Sequence, residues 1–273
     1  MTAPPTATQK RELKLRSMFV APPGHVLVSW DLKQAESWCS AYFANEQTMK
    51  RELATGDIHS LTASAYFHEP QEVVRKDKKK RYVGKQSNHM LTYRASARRL
   101  VQTINKESDG LVTVSNKDGV EIYNTWHSLY HLKQWWDEIE GDLSANNRTL
   151  VTPYGRVRTF FAAWGNELFK QATAHLPQST VGDHTNGAVQ PELGIEGGFK
   201  KVHEAYVRTG AIKIVNQSHD SILAETPVQL LNEIAVGVKQ LMERPLVIKQ
   251  EQFTIPVEVE VGERWGELEE MKV

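Results

Sequence analysis

The stretch VNQSHDSILAET, residues 215–226, sets the polar sequence Gln-Ser-His-Asp between two apolar runs. Short apolar segments on either side of a polar tip predict a β-hairpin, with His219 and Asp220 at its turn. Asn, Ser and Asp are ordinary turn formers because their short side chains hydrogen-bond the local backbone. The turn taken alone therefore has a purely structural explanation, and other parts of the chain must decide whether it carries chemistry.

The composition is that of a globular protein with a sizeable core. The chain has 273 residues, 40% of them hydrophobic and 24% charged, which suits one large domain or two small ones. Lys and Arg number 33, as do Asp and Glu, so net charge gives no sign of a nucleic-acid partner. The single cysteine, Cys39, excludes an internal disulfide and suits a reducing compartment.

The sequence contains no predicted membrane segment. Its first residues lack the apolar region of a signal peptide, and no apolar stretch approaches the roughly 20 residues needed to span a bilayer. We therefore expect a cytoplasmic protein with no membrane partner.

A strand and two helices are predicted near the N-terminus. Residues 25–31, HVLVSWD, have the short apolar pattern of a strand, and residues 32–45 have helical periodicity. Asp31 therefore lies where the strand meets the helix, a position that helix capping alone would explain. A further helix is expected over residues 57–67 with Asp57 as its N-cap.

The strongest charge cluster is RKDKKKRYVGK, residues 75–85, with seven basic residues and one acid. On a helix over residues 81–93, side chains spaced four apart form one stripe. Two cations, an imidazole, a phenol and an amide on that stripe suit a polyanion such as a triphosphate. The alternative is a solvated basic helix face. The stripe consists of Arg81, Lys85, His89, Tyr93 and, beside them, Asn88.

The rest of the chain is predicted to alternate helices with short strands. A small hairpin is expected in residues 109–122, a long helix in 125–146, and strand-like segments around Pro153 and Gly155. Residues 166–189 should be mainly helical, with a kink or break at Pro177. A helix ending at Gly210, the hairpin that contains Asp220, a helix over 227–243 and a strand in 255–265 complete the prediction.

Three segments, in this order, resemble the three polymerase motifs of family A DNA polymerases. VSWDLKQAES, residues 28–37, fits the pattern D-x-x-Q-x-E, and QSHDS, residues 217–221, matches the His-Asp-Glu turn in its first two residues. Between them lies the spacing of the family's fingers helix, R-x3-K-x7-Y. The flanking GDIH, TPYGR, PQST and VEVEVGERW also resemble the family, from about residue 11 to the C-terminus. Each motif alone is weak, and the ordered set carries the resemblance.

The resemblance implies an α+β fold without a thumb or an exonuclease domain. Its palm is an antiparallel sheet with helices, into which a mainly helical fingers subdomain is inserted. We expect palm segments at 1–56 and 164–273, fingers at 57–163, and the second-motif helix at about 76–100. Asp31 and Asp220 would then lie on adjacent strands, facing the basic helix.

The resemblance also implies two-metal nucleotidyl transfer, in which a primer 3′-hydroxyl attacks the α-phosphate of a nucleotide. Asp31 and Asp220 would be carboxylate ligands of two Mg²⁺ ions, for which Mn²⁺ can substitute, and the Leu32 carbonyl would be a further ligand. Mg²⁺ prefers such oxygen ligands together with substrate phosphates and waters.

The resemblance assigns the triphosphate of an incoming dNTP to Arg81 and Lys85, and Lys85 would also protonate the departing pyrophosphate. His59 would add a phosphate contact, although a partly buried structural histidine is an equal explanation. Gln34 and Glu36 would lie near the sugar, where Glu36 excludes a ribose 2′-hydroxyl. Tyr93 would stack at the insertion site or on the template base, and His89 completes the nucleotide-binding set.

Primer-template DNA is the second partner that the resemblance implies. Gln178 would contact the minor groove, although a helix cap near a proline is the alternative. Arg156 and Arg158 would touch template phosphates. His219 is assigned to the same DNA-binding set.

The sequence departs from the family in several places. Ser221 replaces the glutamate of the third motif, which we expect to affect metal affinity without removing the chemistry. His89 stands where the family usually has Phe or Tyr, which suggests a phage-type subgroup working in a host cytoplasm. Arg94 replaces a glycine after the tyrosine. The family's thumb, its first palm segment and any proofreading exonuclease would all precede residue 1.

Two explanations stay open for a sequence that starts after the family's thumb and exonuclease. In one, the chain is the C-terminal half of a split polymerase, and a second polypeptide supplies the thumb and in most cases an exonuclease. In the other, it is a truncated remnant or stand-alone module, folded but with little or no activity. A separate hypothesis is a non-catalytic nucleic-acid-binding or assembly subunit, for which Asp31→Ala or Asp220→Ala would leave function untouched. Reverse transcription is a third possibility because a palm does not by itself fix the template.

Overall fold

The computed structural model describes residues 15–108 and 110–273. Backbone contacts divide this part of the chain into two compact units. The first unit comprises Ser37–Leu150 and Arg158–Pro177. The second comprises residues 15–36, Val151–Val157 and Gln178–Val273. The fold is α+β, as the sequence predicts.

The second unit contains a five-stranded antiparallel sheet in which the neighbours run β4-β5-β1-β8-β9. Its strands come from distant parts of the sequence, so the sheet brings the first and third motifs together. They are β1 (His25–Leu32), β4 (Lys213–Ser218), β5 (Ser221–Pro227), β8 (Val257–Gly262) and β9 (Glu269–Glu270).

The sheet packs one face against helix α11 (Leu231–Met242). Strand β8 alternates buried valines with exposed glutamates, which is the pattern of a half-buried strand. Trp30 of β1 is fully buried, and its indole Nε1 donates a hydrogen bond of 3.0 Å to the Ala235 carbonyl of α11. Burial of this aromatic ring with its polar group satisfied fixes the sheet on the helix.

The predicted strand over 25–31, the hairpin and the C-terminal helix and strand are confirmed. Two strands, β6 (Pro245–Ile248) and β7 (Glu251–Thr254), form an additional hairpin that the sequence analysis did not predict. Lys249 and Gln250 form its turn with φ of 48° and 68°. Because neither is glycine, the turn lacks its usual sequence signal.

The first unit is mainly helical. Helix α3 follows the predicted N-cap: the Asp57 carboxylate accepts hydrogen bonds from the backbone amides of His59 and Ser60. A short hairpin of β2 (Thr149–Val151) and β3 (Val157–Thr159) lies around Pro153 and Gly155, as predicted. The helices are α1 (Ala35–Phe43), α2 (Gln47–Thr55), α3 (Ile58–Phe67), α4 (Gln71–Lys76), α5 (Lys78–Thr92), α6 (Ala97–Glu107), α7 (Asn116–Leu129) and α8 (Lys133–Ala145).

The predicted second-motif helix at about 76–100 begins within two residues of its expected start but is wrong at its end. Asp77 ends α4 and caps α5 by accepting from the amides of Lys79 and Lys80. Helix α5 ends at Thr92, and α6 begins after its N-cap Ser96. Arg94 between them has φ of 62°, a left-handed conformation that cannot continue a helix.

The hairpin predicted in 109–122 is also wrong over the described residues 110–122. The Asn105 side chain holds the extended segment by bonding both the amide and the carbonyl of Val114. Ser115 and Asp118 then form a capping box that begins α7. The valines had suggested a strand, but the Ser-x-x-Asp spacing is a helix-start signal.

The prediction of one long helix over 125–146 is wrong. This segment divides into α7 and α8 at Tyr130, whose backbone is extended with φ of −126° and ψ of 130°. Of the kink or break expected at Pro177, a break does not occur, since Pro177 lies inside the 21-residue helix α9 (Asn166–Asn186). Helix α10 (Gly198–Val202) continues as a π-helical turn before Gly210. None of the described helices has the length and apolarity to cross a membrane.

Candidate active site

The two motif aspartates lie at the same end of two paired strands. In the antiparallel pairing of β1 with β5, Asp31 is opposite Ser221, the residue that follows Asp220. The Leu32 amide donates a hydrogen bond of 2.9 Å to the Asp220 carbonyl. Both aspartates are half-buried. The sheet register therefore makes Asp31 and Asp220 neighbours.

His219, at the turn of the hairpin, is joined to the first motif. Its Nε2 lies 3.3 Å from Oε1 of Glu36. This contact raises the pKa of His219, against the opposing effect of partial burial. Burial raises the pKa of Asp220, while the charge of His219 works in the opposite direction. The hairpin turn is thus electrostatically linked to the first motif, which its turn-forming residues alone would not require.

The donor set at this end of the sheet fits a hard divalent cation. Asp31 and Asp220 offer carboxylate oxygens, and such ions accept one or two carboxylates together with substrate and water oxygens. Within the described residues, no three His, Cys, Asp or Glu side chains form a larger metal-binding group. Ser221 brings a hydroxyl where the family pattern has a carboxylate, so it adds no charge.

Gln34 has an unusual environment between β1 and α1. Its φ of 52° lies in the left-handed region, which re-aims the chain between the strand and the helix. Its side-chain oxygen is buried, and the described residues provide it with no hydrogen-bond partner. A buried acceptor without a hydrogen-bond partner is energetically costly.

Most of the predicted triphosphate-binding side chains lie in the first unit, where α5 packs closely on α3. Gly84 allows this approach: a Cβ there would lie 2.0 Å from the His59 carbonyl oxygen and 3.1 Å from the Ala63 Cβ. Arg81, Lys85 and His89 recur along the same helix. Gly84 thus brings the basic stripe of α5 against the beginning of α3.

Arg81 is held by a carboxylate that the sequence analysis had assigned only to helix capping. The Arg81 Nε donates to Asp57 Oδ2 at 2.7 Å, and its second terminal nitrogen donates to Oδ1 at 3.2 Å. Burial would raise the pKa of Asp57, but hydrogen bonds from Arg81 and Ser60 and the charge of Arg81 lower it to about 2. Two of the five guanidinium protons are used, so three remain for another anion.

His59 is almost fully buried beside this pair, at 7% exposure. Its Nδ1 lies 3.1 Å from Nδ2 of Asn88. Burial and the charge of Arg81 lower its pKa to about 3, opposed by Asp57. The surroundings of His59 therefore favour the neutral ring.

The outer part of the α5 stripe is accessible. Lys85 and His89 are exposed, whereas Asn88, predicted to share that surface, is only 2% exposed. The expectation that all five members form an exposed stripe is wrong for Asn88 because its position faces α3. Tyr93, the C-cap of α5, contacts the His89 ring edge-on at 5.9 Å between centroids.

Arg94, the substitution for a family glycine, has compensating contacts. Its guanidinium forms an ion pair of 2.5 Å with Glu140 and lies over the rings of Trp136 and Phe169 at 5.2 and 5.6 Å. A left-handed backbone costs a non-glycine residue about 1–2 kcal/mol. The ion pair with Glu140 and the two ring contacts act against this cost.

The predicted DNA-binding residues have different surroundings. Gln178 is exposed on α9. Arg156 forms a two-pronged ion pair with buried Asp183, in which Nε donates to Oδ2 at 2.9 Å and a terminal guanidinium nitrogen donates to Oδ1. Arg158 is exposed and stacks on the Phe160 ring at 4.6 Å. Gln178, Arg156 and His219 belong to the second unit and Arg158 to the first.

Sequence reasoning missed three supporting roles. Asp57 is the ion-pair partner of Arg81, Gly84 allows α5 to approach the His59 backbone, and Asn88 is the hydrogen-bond partner of His59. The only available signal was Gly84, a helix-weakening residue in the middle of a helical pattern. Such a glycine commonly marks a close packing contact.

The sequence of this chain is similar to those of known proteins. Residues 3–267 match the DNA polymerase family A sequence pattern. Thermostable DNA polymerase I from Thermus thermophilus is 26% identical over 252 residues, which cover 91% of this chain and 28% of the relative. DNA polymerase I from Deinococcus radiodurans is 25% identical, covering 91% of this chain and 24% of the relative.

A solved structure shares the fold. The POL domain of Pol1 from M. smegmatis, in complex with DNA primer-template and dNTP, superposes with a TM-score of 0.70 at 20% identity. The match covers 93% of this chain and 42% of that one. The chain thus spans about a quarter of the length of its curated relatives. Since the family pattern matches nearly the whole sequence, this chain belongs to DNA polymerase family A.

Proposed function

We propose that this chain is the palm and fingers part of a DNA-directed DNA polymerase, which adds deoxynucleotides to a primer 3′ end. The main observation in support of this proposal is the pairing of β1 with β5, which makes Asp31 and Asp220 neighbours. We assign residues 1–56 and 164–273 to the palm and 57–163 to the fingers, of which residues 1–14 and 109 lie outside the described part.

Asp31 and Asp220 would hold two Mg²⁺ or Mn²⁺ ions, with the Leu32 carbonyl as a further ligand. When bound, such ions stabilise the attacking and leaving oxygens of phosphoryl transfer. Ser221 leaves the site one carboxylate short of the family pattern, so we expect a weaker affinity for the ions.

The α3–α5 pair would bind the triphosphate of the incoming dNTP. Arg81 offers the guanidinium protons that Asp57 does not use, and exposed Lys85 brings an ammonium that can protonate the departing pyrophosphate. His59 adds a hydrogen bond. Gln34 and Glu36 would contact the sugar, where the Glu36 side chain excludes a 2′-hydroxyl. His89 and Tyr93 complete the nucleotide site through their ring contact.

Primer-template DNA is the proposed second substrate. Gln178 would reach the minor groove, and exposed Arg158 is available for a template phosphate. Arg156 would contact a template phosphate with the guanidinium protons that its ion pair with Asp183 does not use. His219 would act at the primer end together with Glu36. The homologous structure was solved with DNA primer-template and dNTP, which supports the same ligands here.

We further propose that residues 1–273 work with a thumb, and in most cases an exonuclease, supplied from outside this sequence. The chain spans 28% of its Thermus relative, and a polymerase needs a thumb to hold duplex DNA. His89 at the usual Phe or Tyr position supports a phage-type replication enzyme, acting in a host cytoplasm.

The function is tested by single-nucleotide primer extension. The chain is held in excess over primer-template so that weak DNA binding does not limit the reaction. We expect one dNTP to be added with Mg²⁺ and none with EDTA, and a DNA template to be preferred over RNA. Preference for the RNA template would indicate reverse transcription, while binding without extension would favour a non-catalytic subunit.

A further inference from the structure

The inference concerns the protonation of His59 and rests on the proposed triphosphate site of α3 and α5. His59 lies at the first turn of α3, and α5 reaches it through the close contact at Gly84. A histidine near a triphosphate has two possible roles: a cation that attracts negative charge, or a neutral donor of one hydrogen bond. The hydrogen bonds around Asn88 distinguish them.

The orientation of the Asn88 amide is fixed by two groups that each have a single role. The indole Nε1 of Trp126 is only a donor, and it lies 3.0 Å from Asn88 Oδ1. The Ile58 carbonyl is only an acceptor, and it lies 3.1 Å from Asn88 Nδ2. A flipped amide would put donor against donor and acceptor against acceptor, so the orientation follows from the chemistry of its neighbours.

The orientation of the Asn88 amide determines which ring nitrogen of His59 carries the proton. Asn88 Nδ2 carries two protons and cannot accept. One proton goes to the Ile58 carbonyl, and the other points to His59 Nδ1 at 3.1 Å. His59 Nδ1 must therefore be the acceptor and carry no proton. The single proton of the neutral ring then lies on Nε2.

We propose that Asn88 is a positioning residue that holds His59 as the neutral Nε2–H tautomer, so that His59 serves the triphosphate as a hydrogen-bond donor and not as a cation.

Burial and most of the surrounding charged groups also favour the neutral ring. Arg81, Lys85 and His89 on α5 disfavour a second positive charge, while Asp57 at the N-cap of α3 favours it. Tyr130, which follows α7, reaches this network through the Thr62 hydroxyl. Protonation of His59 would also place an N–H against the Asn88 amino group and break that bond. The positive charge for the triphosphate therefore comes from Arg81 and Lys85, and His59 contributes a directional hydrogen bond.

The tautomer is measured directly in the whole chain labelled with ¹⁵N-histidine. Two-bond proton–nitrogen correlation spectra between pH 5 and 8, the range in which an ordinary histidine titrates, should show a protonated Nε2 and a bare Nδ1 that do not change. His59→Gln assigns the signal among the 10 histidines. A proton on Nδ1, or a titration within this range, would overturn the inference whether or not the chain polymerises.

The variant Asn88→Asp keeps the side-chain size and replaces the donor with an acceptor. We expect its His59 to take a proton on Nδ1 and to titrate at least about one pH unit higher than in the wild type. Exposed Asn124→Asp on α7 makes the same change of charge and should leave the His59 signal unchanged. Equal His59 spectra in the wild type and a folded Asn88→Asp would count against the positioning role; the wild-type spectrum decides the tautomer even if that variant does not fold.

The ligand role has a separate readout. Addition of dATP should shift the wild-type Nε2–H signal, and the affinity lost in His59→Gln should be the same, within about twofold, from pH 5 to 8. A cationic histidine would instead bind more tightly as the pH falls. Absence of any shift at saturating dATP would overturn the assignment of the donor to the triphosphate, with the tautomer still established.

Discussion

The backbone amide of Leu32 donates a hydrogen bond to the carbonyl oxygen of Asp220. This bond closes the end of the β1–β5 pairing, one residue after Asp31 on one strand and one residue before Ser221 on the other. The backbone pairing of the two strands thereby fixes the positions of Asp31 and Asp220, although these residues are far apart in sequence. A rigid sheet edge of this kind suits catalysis because its acids need no reorganisation when charge develops.

The first prediction concerns Gly84. Alanine in a helix interior is normally about 1 kcal/mol more favourable than glycine, but at Gly84 its Cβ would lie 2.0 Å from the His59 carbonyl. We expect Gly84→Ala to lower the free energy of unfolding by about 1–3 kcal/mol in urea. Gly141→Ala, at an exposed position of α8 with open space around it, should instead raise it. Stabilisation by Gly84→Ala would contradict the close packing of α5 on α3.

Arg94 provides a test of backbone strain. Arg94→Gly and Arg94→Ala both remove the contacts with Glu140 and Trp136, but only glycine adopts φ of 62° without strain. The glycine variant should therefore be more stable than the alanine variant by about 1 kcal/mol, measured by urea unfolding. If alanine proves equal or better, residue 94 does not have the left-handed conformation.

Asp57 gives a prediction about pH. Its pKa is lowered to about 2 in the folded chain from the usual 3.8. A lowered pKa adds stability that is fully present above the unfolded value and is lost as the pH falls towards the folded value. The stability difference between wild type and Asp57→Asn should therefore shrink from pH 5 to pH 3. Asparagine keeps the N-cap of α3, so the variant isolates the ion pair.

Arg81→Gln is the matched change on the other side of that pair. In its background, Asp57→Asn should cost less than in the wild type, because the partner is already absent. A cost that is independent of both pH and Arg81 would show that Asp57 acts only as a helix cap.

Glu36 is expected to govern sugar selection. Glu36→Ala should increase ribonucleotide over deoxynucleotide incorporation by about tenfold or more, equivalent to about 1.4 kcal/mol. Glu36→Gln keeps the side-chain size and should retain discrimination, although it removes the carboxylate that contacts His219. If both variants lose discrimination equally, the effect comes through His219 and not through exclusion of the 2′-hydroxyl.

The sheet and its motif residues were predictable from sequence because they follow local rules. The apolar run ending at Asp31 and the polar tip at Asp220 have the patterns of a strand and a hairpin, and the family resemblance supplied their pairing. The end of α5 was not predictable, because Arg94 has the left-handed conformation for which glycine is the usual signal. The valines of residues 111–115 concealed a helix start that Ser115 and Asp118 encode.

The contacts that organise the basic helix could not be predicted. Asp57 bonds Arg81 and Asn88 bonds His59 across the packing of two helices, and helical periodicity describes one helix at a time. Asn88 therefore appeared as part of an exposed stripe although it is buried. Which side chains bond to each other across two helices depends on how closely the helices pack. Between α3 and α5, Gly84 allows that close packing.

The central claim is that Asp31 and Asp220 form the carboxylate pair of a polymerase. It is tested most directly by single-turnover primer extension with Mg²⁺, comparing wild type with Asp31→Asn, Asp220→Asn and the exposed control Asp137→Asn. We expect wild type and control to add a nucleotide at equal rates, and each active-site variant to be slower by roughly a hundredfold or more while still folded. With the chain in excess over primer-template so that DNA binding does not limit the reaction, extension at the wild-type rate by either variant, or none by the wild-type chain, would contradict the claim.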